Sequence, residues 1–293
     1  MITLKNLTVI MVTFQTDEKI LYNCLNSINN NVKILIIENS KNIEFKRKIE
    51  NIYRNVKVVL SGKNLGYGGG NNLGLKHLKT RFALISNPDV IYNDNFFEEI
   101  KLYLSEKINF SVIGPSYIKQ YPGMTPPYRS FDQTINNKKF NDNYLKEVDY
   151  VIGCSMLLDI KNINLEFYFD ENFFIYFEEA DLCRRIKLND GKVFCSSKLL
   201  IHHEAHKGSS ATNTDYAIES DIFRNWHWMW SAFYYNKKYS SYTSAFFLMI
   251  GKFFKSFIKI FLFTILYNKK QQAIYYARFS GLYNSMIGKK SWY

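Results

Sequence analysis

The chain has 293 residues, 47% of them hydrophobic, with 24 Phe and 22 Tyr. This length is enough for one large or two small domains with a substantial core, and the apolar content excludes a disordered chain. The formal net charge of +12 and a pI near 9.3 are typical of proteins that bind nucleic acid or an anionic surface.

The number and spacing of the cysteines indicate the redox compartment of the protein. There are four of them: Cys24, Cys154, Cys183 and Cys195. They have neither CxxC nor zinc-site spacing, and nothing at the N-terminus resembles a cleaved signal. The pattern predicts free, packed thiols in a reducing cytoplasm.

Strands and helices are predicted to alternate along the first 105 residues. Apolar runs predict strands over 7–14, 32–38, 56–60 and 82–86, and amphipathic periodicity predicts helices over 19–29, 44–53 and 95–105. This alternation is typical of an α/β fold whose sheet has a parallel core. Beyond it, 148–158 is predicted to be a strand that gives the sheet both parallel and antiparallel directions. Residues 117–142 are predicted to form a long loop of the kind that lines a substrate groove.

A glycine-rich stretch lies between the third and fourth predicted strands. Five glycines occur from Gly66 to Gly74, and a helix is predicted to follow them to about Thr80. Glycines let the backbone approach a flat or anionic ligand, and a helix start presents free N–H groups to it. The stretch lacks the lysine and hydroxyl of a P-loop, so a tight turn is the alternative to a nucleotide or phosphate site.

The fourth predicted strand ends in Asn87-Pro88-Asp89. This places a carboxylate at the carboxyl edge of the sheet, where ligands of open α/β sheets bind. A turn cap after Pro88 is the structural alternative for Asp89.

Three carboxylates, Glu178, Glu179 and Asp181, follow an aromatic run at a predicted helix start. Helix starts favour negative charge, and Arg184 and Arg185 lie three and four residues beyond Asp181, so ion pairing is one explanation. Catalysis is the other. Helical periodicity puts Glu178 and Asp181 on one face and turns Glu179 about 100° away from Glu178.

Histidines follow the last predicted strand of this region. The strand 198–201 leads into His202, His203 and His206. Adjacent residues of a strand point to opposite faces, so His202 and His203 cannot both bind one metal without a bend. The set is poorly suited to tetrahedral zinc, and zinc is not expected.

Four ordered motifs resemble the rhamnosyltransferase-like branch of the family 2 inverting glycosyltransferases. They are Asn64-Leu65-Gly66 with Asn72, the run Ser86-Asn87-Pro88-Asp89-Val90, the stretch 170–185 and the stretch 203–209. The resemblance covers roughly residues 6–235. It implies a GT-A fold, which is a Rossmann-like mixed sheet, together with a nucleotide-diphospho-sugar donor, Mg²⁺ or Mn²⁺ as cofactor and a single-displacement mechanism.

The resemblance also implies which residues bind the donor nucleotide. They are Thr13, Glu38, Asn64, Gly66, Asn72, Asn87 and Lys207. Glu38 stands where the family usually has aspartate, and its longer side chain is expected to shift the base or to exclude one pyrimidine. A solvated acid at a strand end is the alternative for Glu38, and a solvated lysine is the alternative for Lys207.

Metal binding and catalysis are assigned in the same way. The implied metal ligands are Asp89 and His203, with His202 as the other candidate histidine. Glu179 is the implied catalytic base and Glu178 the second candidate. Asp181 is expected to orient the acceptor or to pair with Arg184 or Arg185.

The basic charge is concentrated near the C-terminus. Residues 216–293 carry a net +9 of the total +12. The sequence therefore predicts a GT-A catalytic domain over 1–215 and a basic, aromatic helical extension over 216–293, with the boundary in the polar stretch 208–215.

Within this extension, 246–266 is predicted to form a helix that Lys252, Lys255 and Lys259 interrupt, leaving no uncharged run near the ~20 residues of a membrane span. A lysine stripe opposite a broad apolar face is typical of a helix lying in an anionic leaflet. This predicts a cytoplasmic protein, peripheral at the inner face of the cell membrane. The alternative is packing on the catalytic domain or on a second copy in a homo-oligomer.

These features predict an enzyme that moves L-rhamnose from dTDP-rhamnose onto a cell-surface polysaccharide or a lipid-linked glycan. One alternative is a UDP-hexose or UDP-galactofuranose transferase of the same fold. Another is a non-catalytic subunit that binds a sugar nucleotide, although such a protein has no need of a base such as Glu179. Nucleic-acid binding is not expected, because the charge lies on a Phe-rich segment without a recognised nucleic-acid motif.

Overall fold

The structure, a computed structural model, describes residues 4–105, 108–119, 125–131, 140–203 and 214–291. The chain divides into two compact units. The sheet unit runs to Asp170 and resumes at Glu179. The helical unit consists of Glu171–Glu178 and the C-terminal helices.

The sheet unit is built from short strands and the helices between them. Its described strands are β1 (Leu7–Thr13), β2 (Lys33–Glu38), β3 (Val56–Leu60), β4 (Phe82–Ser86), β5 (Val90–Tyr92), β6 (Val112–Tyr117), β7 (Tyr128–Arg129), β8 (Leu145–Glu147), β9 (Tyr150–Val151), β10 (Ser155–Asp159) and β11 (Val193–His203). Its helices are α1 (Glu18–Ser27), α2 (Ile43–Ile52), α3 (Gly66–Lys76), α4 (Phe96–Leu104) and α5 (Glu178–Leu188), of which α5 begins with the last residue of the helical unit.

Nine of the described strands form one mixed sheet. Its order is β3-β2-β1-β4-β10-β6-β11-β5, with β8 also paired to β11. Strands β3, β2, β1 and β4 are parallel, whereas β10 runs antiparallel to both β4 and β6. The parallel strands are apolar along almost their whole length because helices cover both faces of such a sheet. Strands β7 and β9 form a separate two-stranded ribbon.

The predicted elements of the first half are confirmed, with small shifts at their ends. Strands β3 and β4 occupy the predicted residues, and the sheet has the predicted parallel core and mixed polarity. The strand predicted over 148–158 is instead two strands, β9 and β10, on either side of a turn at Gly153.

The glycine-rich stretch differs from its prediction as a loop. All five glycines lie within α3, which begins at Gly66. A Cβ added to Gly70 would lie 2.8 Å from the Val12 side chain, and one added to Gly74 would lie 2.4 Å from Ile10. These glycines are therefore required by the close approach of α3 to β1, since larger side chains would overlap the strand.

The helical unit contains α6 (Thr214–Tyr239), α7 (Tyr242–Ile265) and α8 (Lys269–Met286), which share a core of Met229, Phe233, Ala245, Met249 and Leu282. The aromatic run 226–230, which the sequence leaves as core or groove wall, has Trp226 and Trp230 buried and Trp228 40% exposed.

The boundary of the helical unit differs from the predicted one in one respect. Residues 171–178 pack with the C-terminal helices, although the sequence places them in the catalytic domain. The division into two domains at residue 215 itself stays a prediction.

Candidate active site

Polar side chains collect at the carboxyl ends of β1 and β2. Thr13 and Glu38 are the last residues of these strands and are register partners. Glu38 is buried, and each of its carboxylate oxygens accepts one hydroxyl: Thr13 Oγ1 donates to Oε2 at 2.6 Å and Ser40 Oγ to Oε1 at 2.5 Å. Each oxygen keeps a lone pair for a further donor, so Glu38 is a fixed hydrogen-bond acceptor. Ser40, which lies two residues beyond Glu38, was not predicted as a site residue from the sequence.

A cleft opens beside Glu38. It has a volume of about 300 Å³ and is lined by Gln15, Thr16, Glu18, Glu38, Asn42, Glu44, Phe45 and Lys48. This volume is at the lower end of the range for small-molecule pockets and is large enough for part of a nucleotide.

Asn64 and Gly66 build the start of α3. The Gly66 backbone N–H donates to Asn64 Oδ1 at 3.0 Å, and Gly66 has a positive φ of 72°, which glycine adopts without strain. Asn39 Nδ2 donates to Gly66 O at 2.9 Å and to Asn64 Oδ1 at 3.3 Å. Asn39 was missed by sequence reasoning, although its position directly after Glu38 could have indicated it. Its Oδ1 is buried without a hydrogen bond.

The Asn72 side chain bonds to the backbone of a distant residue. Its Nδ2 donates to Phe169 O, and its Oδ1 accepts from Phe169 N, both at 2.9 Å. This paired contact fixes the backbone next to Asp170. Asn72 therefore acts as a structural tie between α3 and the segment that precedes Asp170.

Asp89 and His203 meet at the edge of the sheet, because His203 of β11 pairs with Val90 of β5. Asp89 is buried, and its Oδ1 has no well-aligned hydrogen bond. His203 Nε2 lies 3.4 Å from that oxygen, close enough for charge attraction. Burial tends to lower the pKa of His203, but Asp89 and Cys154 together raise this pKa to about 10.

The other predicted residues near Asp89 and His203 do not contribute side chains to this pair in the described part of the chain. His202 precedes His203 in β11 and pairs with Ile91, so strand alternation turns it to the opposite face. The Asn87 backbone N–H donates to Cys154 O at 2.8 Å, which fixes the turn before Asp89. Lys207 lies outside the described residues.

Asp89 and His203 fit a divalent cation whose coordination is completed by other ligands. A buried carboxylate oxygen without a hydrogen bond is costly unless a cation or donor satisfies it. Across the described parts of the chain, no group of three or more His, Cys, Asp or Glu side chains is arranged to hold a metal ion. A cation here would therefore need oxygen ligands from a bound phosphate, as Mg²⁺ and Mn²⁺ commonly have.

The three carboxylates of α5 have different surroundings. Asp181 is fully buried and accepts a hydrogen bond from Arg185 Nε at 2.8 Å, and Arg185 also donates to Phe167 O at 2.8 Å. This confirms the predicted pairing of Asp181 with a helix arginine. Glu178 is buried, whereas Glu179 is partly exposed.

Glu179 stands beside a glycine and an arginine from other elements. A Cβ added to Gly153 would lie 3.4 Å from Glu179 Cβ, and the Tyr67 hydroxyl donates to Gly153 O. Burial raises the pKa of Glu179, while the Arg129 guanidinium opposes that rise. Arg129 of β7 is the register partner of Tyr150. Neither Gly153 nor Arg129 was singled out from sequence, although both lie in or beside the predicted groove loop and strand.

Comparison with known proteins agrees with this architecture. The sequence model of the family "Glycosyl transferase family 2" matches residues 8–164. The low-salt glycan biosynthesis hexosyltransferase Agl10 of Haloferax volcanii is 27% identical over 218 residues, covering 69% of this chain and 68% of the relative. The rhamnosyltransferase WbbL of Escherichia coli K12 is 25% identical over 210 residues, covering 64% of this chain and 78% of the relative.

Two solved structures have similar folds. The mannosyltransferase PcManGT from Pyrobaculum calidifontis, in complex with GDP-Man and Mn²⁺, aligns with a TM-score of 0.54 and 9% identity over 97% of this chain and 88% of its own. GalNAc-T7 with UDP, GalNAc and Mn²⁺ aligns with a TM-score of 0.51 and 13% identity over 80% of this chain, which spans about half of GalNAc-T7. The predicted family and fold are confirmed: the protein belongs to glycosyl transferase family 2 and has the GT-A fold.

Proposed function

We propose that the protein is a metal-dependent, inverting glycosyltransferase that uses dTDP-L-rhamnose and extends a cell-surface polysaccharide or a lipid-linked glycan. The observation that carries this proposal is the buried Oδ1 of Asp89, which has no well-aligned hydrogen bond and lies beside His203. Such an oxygen at the ligand-binding edge of an α/β sheet is suited to a cation that accompanies a phosphate.

The donor nucleotide is assigned to the edge formed by β1, β2 and the start of α3. Thymine and uracil both carry a ring N–H, which a fixed carboxylate such as Glu38 can accept. The cleft beside Glu38 supports this placement of the base. Thr13 and Ser40 hold the carboxylate, while Asn64, Gly66 and Asn87 shape the backbone between the base and Asp89. Lys207 is proposed as a diphosphate contact.

Asp89 and His203 are the side chains that would hold Mg²⁺ or Mn²⁺, and His202 is left outside this set. A bound divalent cation supplies the positive charge that stabilises a leaving nucleoside diphosphate. Because a ligand imidazole must be neutral, cation binding at Asp89 would displace the proton that the carboxylate now favours on His203.

Glu179 is proposed as the base that takes the proton of the acceptor hydroxyl as that oxygen attacks the anomeric carbon. Its partial exposure allows an acceptor to reach it, and Glu178 is the second candidate. Asp181 is better suited to stabilising α5, because it is buried and accepts a hydrogen bond from Arg185. Asn72 is likewise assigned to structure rather than to the donor.

The relatives support the choice of substrates. One is a hexosyltransferase of glycan biosynthesis and another a rhamnosyltransferase, so transfer of a hexose or a deoxyhexose to a glycan is the proposed reaction. Both structural neighbours contain Mn²⁺ with a nucleotide or nucleotide sugar, which supports the proposed cofactor.

We also propose that α7 binds the anionic inner face of the cell membrane. Its exposed side carries large apolar residues, namely Phe247, Leu248, Phe254, Phe257, Ile258, Phe261, Leu262 and Ile265. At about 100° per residue, Lys252, Lys255 and Lys259 lie between this side and the buried side. The lysines thus border the apolar face, whereas the sequence pattern predicted them on the side opposite to it.

The position of these lysines suits an interfacial helix. Phenylalanines and leucines would enter the acyl boundary while bordering ammonium groups reach lipid phosphates. No helix in the described part of the chain is long and apolar enough to cross a membrane. Charge complementarity between the basic helical unit and an anionic leaflet favours the membrane over a second basic copy of the chain.

A donor panel tests the proposed reaction. Purified protein is incubated with Mn²⁺ and dTDP-rhamnose, UDP-glucose, UDP-galactofuranose or GDP-mannose, and release of the nucleoside diphosphate is measured with and without EDTA. We expect release from dTDP-rhamnose that EDTA abolishes, and proton NMR of the product should show inversion at the anomeric carbon. Release from a UDP-sugar alone would favour the alternative transferase, and binding without turnover of any donor would favour a non-catalytic subunit.

A further inference from the structure

Two consecutive non-glycine residues, Tyr176 and Phe177, have left-handed backbone conformations, with φ of 72° and 71°. Bulky side chains rarely adopt positive φ, because Cβ crowds the following carbonyl oxygen. The pair directly precedes α5, whose second residue is Glu179. Such strain persists only where the surroundings impose it, and it is often found next to functional groups.

Aromatic rings of α6 hold this turn in place. The Trp228 ring lies 5.3 Å from the Tyr176 ring and 5.1 Å from the Phe177 ring. Phe177 also lies 5.3 Å from Tyr235 and packs against the core of the helical unit. Each of the two strained residues is therefore packed against Trp228, which is itself 40% exposed.

The backbone before the turn is fixed to the same unit. Ser231 Oγ donates to Ile175 O at 2.9 Å, and Ser291 Oγ donates to Asn172 O. Phe173 is fully buried, with its ring 4.9 Å from that of Tyr234. The segment 171–177 is thus held along its length by the helical unit, and so is the residue that directly precedes Glu178.

Glycine could form a left-handed turn without strain, yet the chain has Tyr and Phe at these positions. We propose that Tyr176 and Phe177 are positioning residues for Glu179, because their left-handed turn, packed on Trp228, fixes the backbone that leads into the first residue of α5. This inference rests on the proposed function, in which Glu179 is the catalytic base. Displacing a base by a fraction of an ångström lowers turnover more than it lowers donor binding.

Trp228 gives the direct test, because it touches both strained residues and is partly exposed. We expect Trp228→Ala to lower kcat for dTDP release from dTDP-rhamnose by about 10-fold or more, with the donor KM within about two-fold of the parent. Trp228→Phe keeps a ring and should restore most of the turnover. Tyr283→Ala is the matched control, since Tyr283 is 47% exposed in the same unit and stacks on Phe279 instead.

A second pair of variants tests the strain without an activity assay. Tyr176→Gly and Tyr176→Ala remove the same ring, but only glycine accepts φ of 72° without crowding. The glycine variant should therefore melt about 2 °C higher than the alanine variant. Equal melting temperatures, or a more stable alanine variant, would contradict the left-handed conformation of Tyr176.

Glu179→Gln separates this inference from the proposed function. If Glu179→Gln keeps full turnover, the assignment of the base fails whatever Trp228→Ala does. If Glu179→Gln is inactive while Trp228→Ala keeps the parent kcat, the positioning role is overturned and the proposed base stands. A parallel rise in donor KM in Trp228→Ala, without loss of kcat, would also contradict positioning.

Discussion

At the scale of single residues, Asp89 has a buried carboxylate oxygen without a well-aligned hydrogen bond, and His203 Nε2 lies 3.4 Å from that oxygen. Asp89→Ala should abolish sugar transfer and weaken Mn²⁺-dependent binding of dTDP, because the proposed cation would lose its buried ligand. Activity and calorimetric dTDP binding with and without Mn²⁺ measure the effect. Full activity of the parent in excess EDTA would contradict the metal site.

Glu179 and Glu178 are neighbours, yet Glu179 alone of the two is partly exposed. Glu179→Gln keeps the shape of the side chain and removes the proton acceptor, so kcat should fall by a factor of roughly 10² or more with little change in donor KM. Glu178→Gln is the matched control. Loss of turnover in Glu178→Gln, with retention in Glu179→Gln, would move the base back by one residue.

The acidic limb of the pH–rate profile should depend on Arg129. Burial raises the pKa of Glu179 and Arg129 opposes the rise, so Arg129→Gln removes a charge that favours the ionised carboxylate. A base must be ionised to accept a proton, and activity is lost as pH falls through its pKa. The limb of Arg129→Gln should therefore lie at higher pH than that of the parent.

The control for this charge change is Arg184→Gln. The Arg184 guanidinium lies 5.1 Å from the Phe131 ring centre, and its replacement by Gln changes the net charge by the same amount. An acidic limb that moves equally in the two variants, or in neither, would argue against an electrostatic role for Arg129.

At the scale of elements, α7 carries the proposed membrane contact. Changing Lys252, Lys255 and Lys259 together to Glu should weaken binding to vesicles containing phosphatidylglycerol by about 100-fold or more, because each lysine near an anionic surface contributes to attraction and each glutamate to repulsion. Co-sedimentation at low and high salt measures the binding, which should weaken with salt in the parent.

Three exposed lysines of the sheet unit provide the matched control, since changing Lys5, Lys33 and Lys57 to Glu alters the net charge equally. Unchanged vesicle binding in the α7 variant would exclude the membrane helix. A concentration-dependent dimer in analytical ultracentrifugation, with no vesicle binding, would instead assign the apolar face to a second copy of the chain.

At the scale of the whole molecule, α6, α7 and α8 share one core, so residues 240–293 are not a removable tail. Removing residues 240–293 would expose that core. A loss of vesicle binding in the truncated protein could then result from unfolding. Surface variants of α7 avoid this problem, because the altered lysines lie outside the core.

Two helix glycines test how closely the helices of this unit pack. A Cβ added to Gly281 would lie 2.2 Å from Trp226 O, whereas one added to Gly251 would meet nothing within 4 Å. Gly281→Ala should destabilise the unit by about 1–3 kcal/mol through overpacking. Gly251→Ala should stabilise it by up to about 1 kcal/mol through helix propensity. Thermal unfolding of both variants measures these effects, and a Gly281→Ala protein as stable as Gly251→Ala would contradict the close contact of α6 and α8.

The sequence by itself determined the parallel part of the sheet and which polar residues lie at its carboxyl edge. Apolar runs with a period suited to buried strands placed β1 to β4, since burial on both faces leaves a strong signal in composition. Two of these runs end in Thr13 and Glu38, and Asp89 lies three residues after the end of β4, so strand polarity places all three at the carboxyl edge. The concentration of lysines after residue 215 was likewise readable without a structure.

Only the tertiary structure decided what the glycines, amides and aromatics do. Glycine is compatible with loops and with close helix packing, and the proximity of Val12 and Ile10 selects packing for α3. Asn72 bonds to the Phe169 backbone, and Tyr176 and Phe177 pack against Trp228, so the partners are 51 to 97 residues apart along the chain. Such contacts depend on which side chains the fold brings together, and local periodicity holds no information about partners so distant in sequence.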